Sequence, residues 1–264
     1  MKLGICWNGH SKLSANEQAG LMAENGFEST FIKSDEPAVS EVISVLKKQN
    51  ISCESMHAPT KNINLIWYDN GEEGEAVLDM LKGAVDSCAK NEVPILVSHL
   101  SSKVAPRVSD IGFERFSRLM EHARTRGVRI AYENQRYLAN IALIMEQFED
   151  AVFCWDTGHQ ACFTPKYEFI KLFGDRLNFL HLHDNRRIYN HDDHLLPFDA
   201  AIDFDYVAKS IAGTSFHGSV MLEVTQNNER YQSISPKDFY PRAYQSAMAV
   251  NKAIAAYRVE RGEK

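Results

Sequence analysis

Short apolar runs rich in β-branched and aromatic residues alternate along the chain with longer amphipathic stretches, a pattern that predicts strands followed by helices. The runs predict strands at LGICW (3–7), FESTFI (27–32), ISCESMH (51–57), PILVSHL (94–100), RIAYEN (129–134), VFCWDT (152–157), NFLHLHD (178–184) and SVMLEV (219–224). Several helix ends are marked. Asp35 is the expected cap of a helix that carries Pro37 in its first turn and runs to about Gln49. Ser109 or Asp110 opens another, closed by Gly127. Thr164-Pro165 reads as N-cap and first position of a helix ending before Gly174, and a last helix is expected from about Pro241. Strict strand–helix alternation, with no Pro/Gly/Ser linker, calls for parallel strands joined by helical crossovers. Eight repeats predict a closed (β/α)8 TIM barrel, a single domain over residues 1–264. A doubly wound open sheet is the second choice, and the first turn, WNGHSKLS, lacks the G-x-G-x-x-G of a dinucleotide fold.

Length and composition agree with that fold. The 264 residues suit a barrel of about 250, and 44% apolar content supplies a core. The formal charge of −6 disfavours a polyanionic partner such as nucleic acid, although bound cations would offset part of the deficit locally. Five scattered cysteines without a C-x-x-C pair suggest reduced thiols. MKLGICWNGH lacks the apolar run of a signal peptide, and no stretch reaches the length of a membrane span. A soluble cytoplasmic protein is the expectation.

Position changes the picture most. Six consecutive strands each end on residues able to bind metal: His57, His99, Glu133, Asp156 with His159, His181 with His183, and Glu223. In a barrel those ends converge on the face that carries the chemistry. Strand parity sets His181 and His183 on one face and Leu180 and Leu182 on the other; Tyr132 and Trp155 flank Glu133 and Asp156 in the same way. Taken singly, any of these residues would more often be a hydrogen-bonded structural residue, and His10, His122 and His217 are read so. Buried carboxylates, however, are costly unless they are paired or bind a cation.

The strand ends H-A-P, S-H, E-N, D-T-G-H, H-L-H-D-N and L-E resemble those of the xylose-isomerase-like barrel superfamily, which holds sugar isomerases and epimerases, inositol-pathway enzymes and zinc-dependent abasic-site endonucleases. The likeness runs from the third strand to the eighth. It implies a metal set of Glu133, Asp156, His181 and Glu223, with His181 chosen by the family pattern H-x-x-[DE] and His183 left close to substrate or metal. Three carboxylates and one imidazole suit Mn²⁺, Mg²⁺, Co²⁺ or Zn²⁺. In the epimerases the two glutamates, here Glu133 and Glu223, also act as a proton-transfer pair, and the metal stabilises the enediolate between them. The endonuclease branch requires three zinc ions. Its additional ligands would be His57, His99, His159 and the Asp192 and His194 of a D-x-H pair, with Ile202 in register behind it.

Against the nuclease stand the acidic charge and the lack of basic, aromatic-rich insertions. Phe198, Asp199 and Ala200 also occupy the place of a G-x-G in the superfamily. A divalent-metal-dependent sugar or sugar-phosphate isomerase/epimerase is therefore the leading expectation, with a zinc phosphoesterase second. A barrel that merely binds sugar or regulates comes third, since no member of the four-residue set is missing. Arg187, with Arg186, is a candidate to bind a substrate phosphate or hydroxyls, and Trp7 and Trp67 are candidate apolar walls. Homodimers are common among such barrels.

Overall fold

The computed structural model of the protein describes residues 1–262. All eight expected strands form: β1 (Leu3–Ile5), β2 (Ser29–Lys33), β3 (Ser52–His57), β4 (Ile95–Ser98), β5 (Arg129–Glu133), β6 (Val152–Asp156), β7 (Leu177–His181) and β8 (Val220–Leu222). They pair in parallel in the order β7-β6-β5-β4-β3-β2-β1-β8. The two edges then meet, because Leu182 N donates to Met221 O (2.9 Å) and Glu223 N donates to Leu182 O (3.0 Å). The chain is a closed (β/α)8 barrel, and the open sheet is excluded.

The crossover helices are α1 (Ala15–Glu24), α2 (Val39–Lys48), α3 (Glu72–Lys90), α4 (Asp110–Arg126), α5 (Leu138–Gln147), α6 (Thr157–Phe163), α7 (Phe169–Phe173), α8 (Phe204–Ala212) and α9 (Pro236–Glu260). Ser109 caps α4 by accepting from Gly112 N, and Gly127 ends it at φ 68°. Three expected ends move. Asp35 does not cap α2: Ala38 is left-handed (φ 55°), which breaks helical continuity after Pro37 and delays the helix to Val39. Thr164 closes the short α6, and α7 begins at Phe169. Helix α9 starts at Pro236, where Ser235 accepts from Asp238 N, and Pro241 falls inside it.

Period-two alternation divides the core in two. Leu180, Leu182, Tyr132 and Trp155 pack outward between sheet and helices. Cys6, Phe31, Ile95, Val97, Ala131, Cys154, Phe179 and Met221 fill the barrel interior. That inner plug is a floor, and the residues one layer above it at the strand ends have only the barrel mouth to face. Among the described residues no helix is long and apolar enough to cross a membrane, and the five cysteines are free thiols.

Candidate metal centre

Glu133 ends β5 on the inward parity, one layer above Ala131 of the floor. Imidazoles surround its carboxylate. His99 Nε2 lies 2.7 Å and His57 Nε2 3.4 Å from Oε2; His181 Nδ1 lies 3.0 Å and His159 Nδ1 3.3 Å from Oε1. Asp156 ends β6, and its Oδ1 also caps α6 by accepting from His159 N at 2.6 Å. Its main chain is held by Asn134, whose amide accepts from Asp156 N (2.8 Å) and donates to Asp156 O (2.9 Å). His181 Nδ1 reaches 3.4 Å from Glu223 Oε2, across the seam that closes the barrel. One oxygen or nitrogen each from Glu133, Asp156, His181 and Glu223 lie within 4.8 Å of one another, close enough for one cation to touch all four.

The D-x-H pair returns from the loop after β7 to the same mouth. Asp192 Oδ2 lies 3.1 Å from both His159 Nε2 and His194 Nε2, and the His194 ring stacks on His183 at 4.1 Å between centroids. The return is built by Asp184. This fully buried carboxylate accepts from the backbone N–H groups of Asn185 (2.7 Å), Ala200 (2.7 Å) and Ile202 (2.9 Å). Its own main chain pairs with Leu195. His194 itself is left-handed, at φ 46°. All nine residues implied by the resemblance therefore converge.

Burial and charge pull the group in opposite directions. Burial alone would raise the Glu133 carboxyl, yet His99, His181 and His159 hold it well below the usual carboxylate range. Asp156 is likewise held low against its burial by His159 and His183, and Asp192 by His159 and His194. Burial pushes His99 and His181 down, against the opposing pull of Glu133. Burial would also lower His159 and His194. Asp156, Glu133 and Asp192 nonetheless hold His159 well above its ordinary value, and Asp192 with Glu223 holds His194 up at about 10. Glu223 is pushed well above the carboxylate range by burial, with Glu133 and Asp156 adding to it. A fourth anion is unfavourable there unless a cation joins it.

A cavity of about 430 Å³, the size of a small-ligand pocket, opens onto this cluster. His57, His99, His159, Asp192, His194 and Glu223 line it. The expected substrate contacts lie elsewhere. His183 is sealed from the cavity at 0% exposure, with Nε2 3.1 and 3.2 Å from the two Asp156 oxygens, so it orients that carboxylate. Arg187, left-handed at φ 61°, lines a separate hollow together with Tyr167 and Tyr206. Arg186 pairs with Asp193. Trp7 packs half-buried against the outer core, and Trp67 is buried with its indole N–H donating to Leu100 O. Both tryptophans answer the pull of outward apolar neighbours.

His122 pairs with Asp86 on a helix face, and His217 lies beside Arg258. Sequence reasoning missed Asn134 and Gln135. Gln135 Nε2 lies 3.1 Å from His99 Nε2 and 2.9 Å from His159 Nδ1, tying two imidazoles together. Their signal was adjacency, as both directly follow Glu133.

A family model described as xylose isomerase-like TIM barrel matches residues 20–242. The uncharacterized protein y4fM of Sinorhizobium fredii (strain NBRC 101917 / NGR234) is 29% identical over 198 residues, which cover 69% of this chain. The chain spans about 62% of the length of that curated relative. Solved structures resemble it along nearly its whole length. A D-psicose 3-epimerase with D-fructose superposes with a TM-score of 0.75 at 13% identity, covering 96% of this chain and 99% of that one. The IolI protein with a bound zinc atom gives 0.72 at 14%, covering 97% and 99%. The 3-keto-D-glucoside 4-epimerase of E. coli gives 0.73 at 14%, covering 94% and 99%. Likeness at such identities concerns the fold. The family follows from the matched span together with the closed barrel: this chain belongs to the xylose isomerase-like TIM barrel family.

Proposed function

We propose that the protein is a divalent-metal-dependent isomerase or epimerase of a sugar or sugar phosphate. One observation carries this reading: ligand atoms of Glu133, Asp156, His181 and Glu223 gather within 4.8 Å at the mouth of the barrel. The donor set fits a cation. Glu133 and Asp156 are fully buried acids, burial pushes His181 down, and burial with the neighbouring carboxylates pushes Glu223 up, a cost that a bound cation would offset. Similarity to a D-psicose 3-epimerase, a 3-keto-D-glucoside 4-epimerase and a zinc-bound IolI protein points the same way. A divalent ion held there supplies Lewis-acid polarisation of a substrate carbonyl and its neighbouring hydroxyl.

Glu223 is the member that faces the cavity, so one of its carboxyl oxygens is the atom to take a proton from the carbon next to the carbonyl. Glu133 lies beneath it, and its proton traffic passes His57 and His99, which stand between it and the cavity. The closed barrel floor excludes water from below, so exchange with solvent is confined to the mouth.

The test combines metal analysis of protein purified without chelator with assays on ketoses, ketose phosphates and an abasic-site duplex. About one Mn²⁺ or Co²⁺ per chain with ketose turnover is the expected result. Glu133→Gln should lower metal content and cut turnover about 100-fold or more. Metal-free protein whose thermal stability is unchanged by Glu133→Gln would sink the site.

A second reading, a zinc phosphoesterase, is favoured by the convergence of His57, His99, His159, Asp192 and His194 on the same mouth. About two to three zinc ions per chain, and duplex cleavage lost in His99→Ala or His194→Ala, would decide for it.

A further inference from the structure

We propose that the substrate carries an anionic group, a phosphate or a carboxylate, bound by Lys33 and Lys61 on the cavity wall beyond His57. This rests on reading the site as that of a sugar isomerase.

Both lysines line the cavity, and both are exposed. Lys33 is the last residue of β2. It shares the inward parity of Phe31, which is buried in the barrel floor and stacks on His181 at 4.5 Å between ring centroids. In the ladder Lys33 lies directly opposite His57. An inward position at a strand end is thus occupied by an ammonium, next to an imidazole 3.4 Å from Glu133. Lys61 follows Pro59 and Thr60 in the loop after β3, on the same wall.

Among the described residues neither ammonium has a hydrogen bond or ion pair, and of the chain's unpaired lysines these two line the cavity over the cluster. Asp35 lies on the same wall and Glu36 is near enough to feel the charge of Lys33, but neither forms a salt bridge with it. The anions at the centre are already partnered, Glu133 by four histidines, Asp156 by His183 and Asp192 by His159 and His194. The two lysines are therefore not consumed in balancing the metal cluster.

A neutral sugar is usually gripped by amides, carboxylates and aromatic faces. Of the aromatic candidates, Phe31 lines the cavity at its floor with its ring stacked on His181, and Trp7 packs against the outer core. Two unpaired ammoniums instead match a phosphate or carboxylate, which lysine binds as a point charge in charge-assisted hydrogen bonds. The arginines first suspected of that role are excluded by geometry, Arg186 by Asp193 and Arg187 by its own hollow.

The experiment uses open-chain polyols that lack a ketone, so that binding is read without turnover. D-Glucitol, D-glucitol 6-phosphate and D-gluconate are titrated calorimetrically into the protein as purified, at about 20 mM and about 300 mM salt. One or both anions should bind about tenfold or more tightly than D-glucitol at low salt. That preference should shrink at high salt, fall toward unity in Lys33→Gln/Lys61→Gln, and reverse in Lys61→Glu. A stronger preference for the phosphate identifies a sugar phosphate, and one for D-gluconate a sugar acid. Lys61 lies in an exposed loop, so Lys61→Gln alone serves as the variant if the Lys33 change lowers the melting temperature.

Equal binding of the neutral and anionic polyols, a preference that survives in the double variant, or no binding of any of the three would overturn the proposal. Turnover of neutral ketoses without an anion preference sinks this inference and spares the isomerase. An anion preference without turnover of any ketose does the reverse.

Discussion

A Cβ on Gly158 would lie 1.8 Å from Cε1 of His183. The ring has little room to retreat, because it also stacks on His194 and its Nε2 is held by Asp156. Thr157 closes the arrangement from the main chain, its hydroxyl donating to His183 O (2.9 Å) and lying 3.2 Å from His183 N. Gly158→Ala must then push His183 off Asp156 or displace α6. We expect metal affinity to fall about 10- to 100-fold, as when a residue that orients a ligand is lost. Stability should drop by about 1–3 kcal/mol. Metal competition titrations and urea unfolding measure the two, and unchanged affinity would mean that His183 does not position Asp156. The D-T-G-H stretch was legible as a site motif, but the reason for its glycine was not. That reason is a contact with a side chain 25 residues further on.

The segment between β7 and α8 carries Asp192 and His194, and it shows how a loop without the glycines of its superfamily keeps its shape. Phe198 is left-handed at φ 75° and more than half exposed, with its ring against Phe204 at 5.2 Å between centroids. Asp199 fixes the turn, accepting from the Tyr231 hydroxyl (2.6 Å) and from Arg242 (2.7 Å). A bulky residue in that conformation costs about 1–3 kcal/mol, whereas glycine adds about 0.4–1 kcal/mol of unfolded-state entropy. Phe198→Gly should therefore raise the melting temperature by about 2–4 °C, measured by differential scanning calorimetry. A fall would show that the contact with Phe204 outweighs the strain. The sequence flagged the missing glycines, and the tertiary bonds of Asp184 and Asp199 explain why their loss is tolerated.

Over the whole molecule, several carboxylates are held below their ordinary values by arginines: Glu75 by Arg118 and Arg115, Asp86 by Arg126, and Asp150 by Arg124. Arg115 is buried and also donates to the carbonyls of Ile66, Tyr68 and Gly71, so its pairing with Glu75 ties α4 to α3 and to the loop before it. Because the folded values lie below the unfolded ones, this stabilisation is present above the ordinary carboxylate values of 4.5 and 3.8 and is lost as pH falls through the folded values. Chelator-treated protein, in which metal release cannot contribute, should lose thermal stability progressively below about pH 4.5. Glu75→Gln should make that decline shallower. An identical slope in variant and wild type would remove Glu75 from the account. The pairs are partly exposed, so each is a small contribution and only their sum is expected to be visible.

The sequence by itself determined which face each strand residue takes. Period-two alternation is a property of the local backbone, so Glu133, Asp156 and His181 were assigned to the mouth, and Leu180, Tyr132 and Trp155 to the helix layer, before any contact was known. Strand order and the family likeness pointed to the barrel and to a candidate metal set for the same reason, since both are written in short-range patterns. Only the tertiary structure decided who meets whom within the mouth. Barrel closure between Leu182 and Met221 carries His181 to Glu223, and the path of the loop after β7 takes Asp192 to His159 while turning Arg187 away. Pairing of β2 with β3 sets Lys33 beside His57, where among the described residues its ammonium has no hydrogen bond or ion pair. Distances between residues far apart in the chain depend on how the loops run and the sheet closes, and no periodicity records them.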